Sequence, residues 1–196
     1  MADKMHVPAP LHELCQWVCW GKPGEANRKC PYNPRTGQRA KAGVLDTWAA
    51  FSEAVGAVQA GRYEGIGFEF AGGGGIVGVD FDHCIQGGAL DAWAADWVRR
   101  FDSYTEVSPS GEGLHILCKG ILPANIKRPR AEMYDRARYF TFTGKAWDSA
   151  PKPIRDAQEA VNALYRDCRP TPPKGSRRPH SRPHSPRPLC RPKRTT

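Results

Sequence analysis

Asp80 and Asp82 end the apolar run in GIVGVDFDHC, residues 75–84, with Phe81 between them. On a pleated strand alternate side chains share a face, so the two carboxylates stand about 6.7 Å apart while Phe81 turns the other way. The residues before them are apolar on both faces, as in a central strand, which puts the pair at the rim of a buried sheet where repulsion is poorly screened. A divalent cation relieves such repulsion. Mg2+ takes oxygen ligands and usually accepts one or two carboxylates together with substrate phosphates, and Mn2+ suits the same donors. Glu132 and Asp135 in AEMYD, residues 131–135, are the candidates for a third acid. Three acids would hold two metal ions, an arrangement suited to phosphoryl transfer. A second constellation is SPSGEGLHI, Ser108 to Ile116. Ser108 and Ser110 offer hydroxyls, Gly111 and Gly113 let backbone amides approach an anion, and His115 can donate to a phosphate oxygen. Each constellation taken singly has a plainer alternative: a solvated strand end for the acids, ordinary turn chemistry for the loop.

The elements that position these residues follow from patterning. QWVCW, residues 16–20, reads as a strand after a short helical segment around Leu11–Leu14. KCPYNPRTGQRAKAG, Lys29–Gly43, mixes basic residues with Pro31, Asn33, Pro34 and Gly37, a composition for turns. Asp46 is the expected N-cap of a helix carrying Trp48, Phe51, Val55 and Val58 and ended by Gly61. GIGFEF (65–70) and GIVGVDF (75–81) predict a hairpin across AGGGG, and a helix carries Asp91, Trp93, Trp97, Val98 and Phe101. SYTEVS and LHILCKG predict a second hairpin across PSGEG; AEMYD and RYFTFTG (138–144) are further strands, and an amphipathic helix spans about Ile154–Tyr165. Hairpins with interspersed helices predict an α+β domain with a mixed or antiparallel sheet and flanking helices.

The chain has 196 residues with 29 Lys and Arg against 20 Asp and Glu. Nine of those basic residues and no acid lie in residues 169–196, so residues 1–168 are balanced and the basic pI belongs to the tail. Eight prolines and almost no apolar residue predict a disordered tail, 169–196, following a folded domain, 1–168. A polyanion-binding role by counterion release, or a truncation or frame change near Cys168, are the alternatives for it. Seven cysteines at irregular spacing do not form a secreted disulfide framework. Cys15, Cys19 and Cys30 lack the spacing of a zinc knuckle, which leaves buried free thiols as the expectation. With neither a signal core nor an apolar run of membrane length, a soluble, cytoplasmic protein is expected.

In chain order, VDFDHC, SPSGEGLHI and AEMYDRARYFTFTG resemble motifs I, II and III of the archaeo-eukaryotic primase superfamily, closest to phage and plasmid primase-polymerase domains, over about Trp17–Gly144. KCPYNPRTG is similar to the basic loop that such phage proteins carry upstream. The resemblance implies an RRM-like catalytic sheet and template-dependent nucleotidyl transfer with Mg2+ or Mn2+. It implies Asp80, Asp82 and Glu132 as metal ligands, and Ser108, Ser110, Gly111, Gly113 and His115 as the triphosphate site. Arg138 and Lys29 match basic positions near nucleotide or template. The implied partners are single-stranded or primed DNA, NTP or dNTP, and a replicative helicase. Two other readings stay open: a metal-dependent nuclease or other phosphodiesterase, and an inactive single-stranded DNA-binding module stacking bases on Trp17, Trp20 and Tyr32.

Overall fold

The computed structural model describes residues 5–169. In chain order its elements are β1 (Trp17–Trp20), α1 (Phe51–Gln59), β2 (Gly65–Ala71), β3 (Ile76–Phe81), β4 (Ile85–Gln86), β5 (Ala89–Leu90), α2 (Ala92–Phe101), β6 (Tyr104–Val107), β7 (Leu114–Lys119), β8 (Ile126–Lys127), β9 (Ala131–Tyr134), β10 (Arg136–Phe142) and α3 (Gln158–Asp167). The apolar run IVGVDF does form a central strand: β3 lies in the middle of a five-stranded antiparallel sheet of order β6-β7-β3-β9-β8. Its odd-numbered residues Val77, Val79 and Phe81 pack with Trp97 and Phe101 of α2 and with Val161 and Leu164 of α3. Even-numbered Gly78 and Asp80 look the other way, toward a second, three-stranded antiparallel sheet of order β1-β2-β10. Phe68, Phe70, Phe140 and Phe142 of that sheet share a buried cluster with Tyr104, Leu117 and Tyr134 of the first. α1 buries Ala54 and Ala57 in the same cluster, against β1 and β2.

The α+β class with flanking helices holds, and the strands divide between two antiparallel sheets. The expected β2–β3 hairpin is not formed. β2 takes β1 and β10 as its neighbours, β3 takes β7 and β9, and Gly72, Gly73 and Gly75, all at positive φ near 70°, carry the chain from one sheet to the other. A second crossing needs a single residue, Asp135, between β9 and β10. The β10–β2 register then shifts between Arg136 and Arg138, with Ala137 at φ 51° as the extra residue of a bulge.

The β6–β7 hairpin forms as expected. Asp46 instead sits in a 3-10 turn, Leu45–Thr47, and α1 begins at Phe51, where the Glu53 carboxylate accepts from the Ala50 N–H at 2.9 Å. Trp48 is held outside the helix because Ala49 bridges Trp17 and the Trp48 indole donates to Lys41 O. α3 starts later than expected, because Asp156 still bridges Lys119 in extended conformation. No helix among the described residues is long and apolar enough to cross a membrane. The expected tail lies outside the described residues, apart from Arg169.

Two positions test this packing. A Cβ on Gly78 would lie 2.2 Å from Phe70 Cζ and 2.7 Å from Phe140 Cε2, so Gly78→Ala forces the sheets apart and destabilises by about 1–3 kcal/mol, read as a lower urea midpoint. Glu69 is fully buried with neither carboxylate oxygen hydrogen-bonded, and burial pushes its carboxyl up to about 7. The folded state therefore holds a proton that the unfolded chain releases near 4.5, and stability falls as pH rises from about 4.5 to about 7. Glu69→Met removes that decline and raises stability at pH 8; unchanged slopes in denaturation series across this range would contradict the assignment.

Candidate active site

Antiparallel pairing sets residues directly opposite one another on one face. In this sheet the register opposes Glu106 to His115, His115 to Asp80, Asp80 to Glu132, and Glu132 to Lys127. The result is a single row of charge-bearing side chains across all five strands. Asp80 directly opposite Glu132 is an unfavourable pair by itself; His115 flanks it on one side and Lys127 on the other. His115 Nδ1 lies 3.2 Å from Glu106 Oε1, and its Nε2 lies 3.9 Å from Asp80 Oδ1. Lys127 Nζ is 2.8 Å from Glu132 Oε1, Arg138 is 3.7 Å from Glu132 Oε2, and the Tyr134 hydroxyl donates to Glu132 Oε2 at 2.6 Å.

These surroundings set the proton affinities. Burial raises the Asp80 carboxyl above its ordinary value; His115 opposes that, and the nearby Asp82 and Glu132 charges reinforce it. Burial would raise Glu132 too, but its hydrogen bonds from Lys127 and Tyr134 outweigh that and hold it low. For His115, burial disfavours the imidazolium, and the Glu106 hydrogen bond and charge, with Asp80, more than offset it, so the net shift is upward. Asp80 is thus the acid in the row whose charge is least compensated.

Beside the row, a cavity of about 450 Å3 opens between the two sheets. Asp80, Asp82, Ser108, Ser110, His115, Arg138 and Lys29 all line it, which brings together seven of the residues singled out in the sequence. Asp82 stands just past the end of β3 in an exposed turn, and that turn is tied to the serine-glycine loop by His83 Nδ1, 3.1 Å from Glu112 Oε2. In the loop, Ser108 N–H donates to Gly113 O and Gly111 N–H donates to Ser108 O, so these amides close the turn. The hydroxyls of Ser108 and Ser110, 3.0 Å apart, are the donors at the cavity wall. Gly113 serves close approach: a Cβ there would meet Phe81 O at 2.5 Å.

No family model matches the chain. Over 156 aligned residues it is 36% identical to a DNA primase-polymerase of Nitratiruptor phage NrS-1, an alignment covering 74% of this chain. The chain is a relative of the phage-type primase-polymerases. It spans about a fifth of that relative's length, 21%.

Against this relationship the remaining candidates sort clearly. Three converging acids were expected; among the described residues no three His, Cys, Asp or Glu side chains are grouped to hold a metal ion. Asp80 and Asp82 face the cavity, while Glu132 does not line it, because Lys127, Arg138 and Tyr134 claim its carboxylate. A hard cation suits the Asp80–Asp82 pair, given the uncompensated charge there. Asp135 is excluded as the third acid: it is buried, receives both the Nε and Nη2 of Arg136, and accepts from Leu122 N–H.

The basic loop is largely committed to its own fold. Arg35 donates to Trp48 O and Arg39 pairs with Glu25, while Lys29 reaches the cavity; Arg28, just before the loop, pairs with Glu64. Trp17 and Tyr32 are buried and the half-buried Trp20 donates its indole N–H to Ile66 O, so Trp17 and Tyr32 offer no face for base stacking. Cys19 and Cys30 are buried free thiols, as expected, whereas Cys15, also expected to be buried, is exposed; Cys84 and Cys118 are buried free thiols too. Sequence reasoning missed Glu106 and Lys127. The signal for Glu106 was present in SYTEVS: Tyr104, Glu106 and Ser108 alternate, and the short PSGEG loop puts that face opposite His115.

Proposed function

We propose that this domain transfers nucleotidyl groups along a DNA template, as a primase or polymerase. The observation that carries the reading is that Asp80 and His115, opposed on neighbouring strands, open with the Ser108–Ser110 loop onto one cavity of nucleotide-binding size. The relationship to a protein named a DNA primase-polymerase supports it. Asp80 and Asp82 would hold Mg2+ or Mn2+, with Glu132 as the third acid once Lys127 and Arg138 release it. The metal ions would activate a 3′ hydroxyl and neutralise charge at the phosphate under attack.

The chain's own groups do the rest. Ser108 and Ser110 hydroxyls and the His115 ring bind the β- and γ-phosphates, which fixes the α-phosphate for in-line attack by the primer 3′ hydroxyl. Pyrophosphate leaves along the same wall. Lys29 and Arg138, which also line the cavity, supply positive charge for the nucleotide or the template strand. A hydrolase of diesters has little use for such a polyphosphate wall, which favours transfer over cleavage.

Asp80→Ala and Asp82→Ala are expected to lower extension of a primed template in Mg2+ or Mn2+ by about two orders of magnitude or more. Extension at wild-type rate by either purified variant would sink the proposal. Degradation of labelled DNA by the wild type in the absence of nucleotides would replace it with a phosphodiesterase.

A further inference from the structure

Two cations line the cavity. Arg138 is turned toward Glu132, whereas the hydrogen bonds of Lys29 among the described residues are made by its backbone alone. The Lys29 N–H donates to Asn27 Oδ1 at 3.2 Å, and its carbonyl accepts from the Tyr139 hydroxyl. A lysine ammonium rides on a flexible four-carbon stem, so the place where the backbone is held sets how far the charge can reach. The chain leading to Lys29 has little regular structure of its own: residues 21–29 form an irregular loop with Gly24 at φ 81°, closed on itself where Gly21 N–H donates to Arg28 O at 2.8 Å. Toward β10, the Tyr139 hydroxyl is its hydrogen-bond tie among the described residues. Tyr139 itself is well seated. It alternates along β10 with Phe140, which stacks on His115, so the Tyr139 ring goes to the other face of the sheet. There it packs against Val18, Ala40 and Trp48, over the bare backbone of Gly67, where a Cβ would come within 2.7 Å of its Cδ2.

We infer that Tyr139 is a positioning residue of the nucleotide site: its hydroxyl ties the Lys29 carbonyl to β10, so that the Lys29 ammonium is held for the polyphosphate of a bound nucleoside triphosphate. This role rests on the nucleotidyl-transfer reading above, which leaves Lys29 to either the nucleotide or the template. The polyphosphate is the favoured ligand because Lys29 shares its cavity with the hydroxyls of Ser108 and Ser110, donors suited to phosphate oxygens. Without the tie, the loop would be ordered only when the ligand arrives, and that cost falls on binding rather than on the chemical step. Tyr139 also borders the cavity, so the test has to separate a direct contact from an effect carried by Lys29.

Tyr139→Phe removes the hydroxyl and leaves the ring on Gly67. Binding of dTTP and of inorganic tripolyphosphate is measured by calorimetry on the full chain with Mg2+, binding of a primed DNA template by fluorescence anisotropy, and KM and kcat by primer extension. The expected result is about fivefold weaker binding of both phosphate ligands and a matching rise in KM, with kcat and template affinity nearly unchanged. In a Lys29→Ala background Tyr139→Phe should change affinity by less than about twofold, because the group it positions is gone. An effect below about twofold in the otherwise wild-type chain, or one of about twofold or more in the Lys29→Ala background, would overturn the positioning role and leave the transfer reading standing. Weaker template binding with unchanged tripolyphosphate binding would do the same by placing Lys29 on the DNA. Lys29→Ala, a change at an exposed residue, is an independent check: tripolyphosphate affinity equal to that of the wild type would overturn the role whatever Tyr139→Phe does. Failure of the wild type to bind dTTP would instead remove the transfer reading and this inference with it.

Discussion

The antiparallel register of β7 and β9 on β3 is the constraint on which the site depends. A slip of one residue in either pairing would turn His115 or Glu132 onto the opposite face, among Trp97, Phe101 and Leu164, and would leave Asp80 without its neighbours. The register is secured by the apolar half of each strand. Val79, Ile116 and Met133 are opposed across the three strands and buried against the helices, so the hydrophobic face fixes where the charged face must lie. Burial of one set of side chains thereby orders another set that repel or attract one another at close range.

The charged row is tolerable because its signs are distributed. Acidic Glu106 is satisfied by backbone amides and His115, Glu132 by Lys127, Arg138 and Tyr134, and the residual imbalance falls on Asp80, at the cavity. Uncompensated charge is costly away from water, and this sheet confines it to one point, where the cavity opens. The buried Glu69 on β2 is the contrasting solution, a carboxyl without any partner that keeps its proton toward neutrality.

Much of this was legible from residue types. The strand DxD, the loop with its following histidine, and the acidic strand were each located to within a residue or two, since turn chemistry and alternation are local properties. The β6–β7 hairpin was legible for the same reason. Partner choice between strands was not: AGGGG suits a hairpin and a crossing equally well, and which neighbours β2 and β3 take depends on packing between Phe70, Gly78 and Phe140, remote from one another along the chain. The alternation in SYTEVS sets Glu106 on the face of Tyr104 and Ser108, but its burial depends on the end of β10, remote along the chain. Glu132 was correctly located on its strand, but the cations that hold it come from β8 and β10.

The cleft wall opposite the charged row belongs to a sheet with its own separate ladder of hydrogen bonds. Among the described residues the two sheets are separate ladders, linked where Glu106 bonds to the end of β10, where β6 pairs with the segment just after β10 and where Arg138 meets Glu132; between them stand aromatic rings, with Phe70 and Phe140 seated on the bare backbone of Gly78. The girth of those rings acts as a spacer for the slot. Because the His115 ring of the charged row is stacked on Phe140, a change in that ring would alter the width of the slot and the placement of its floor together.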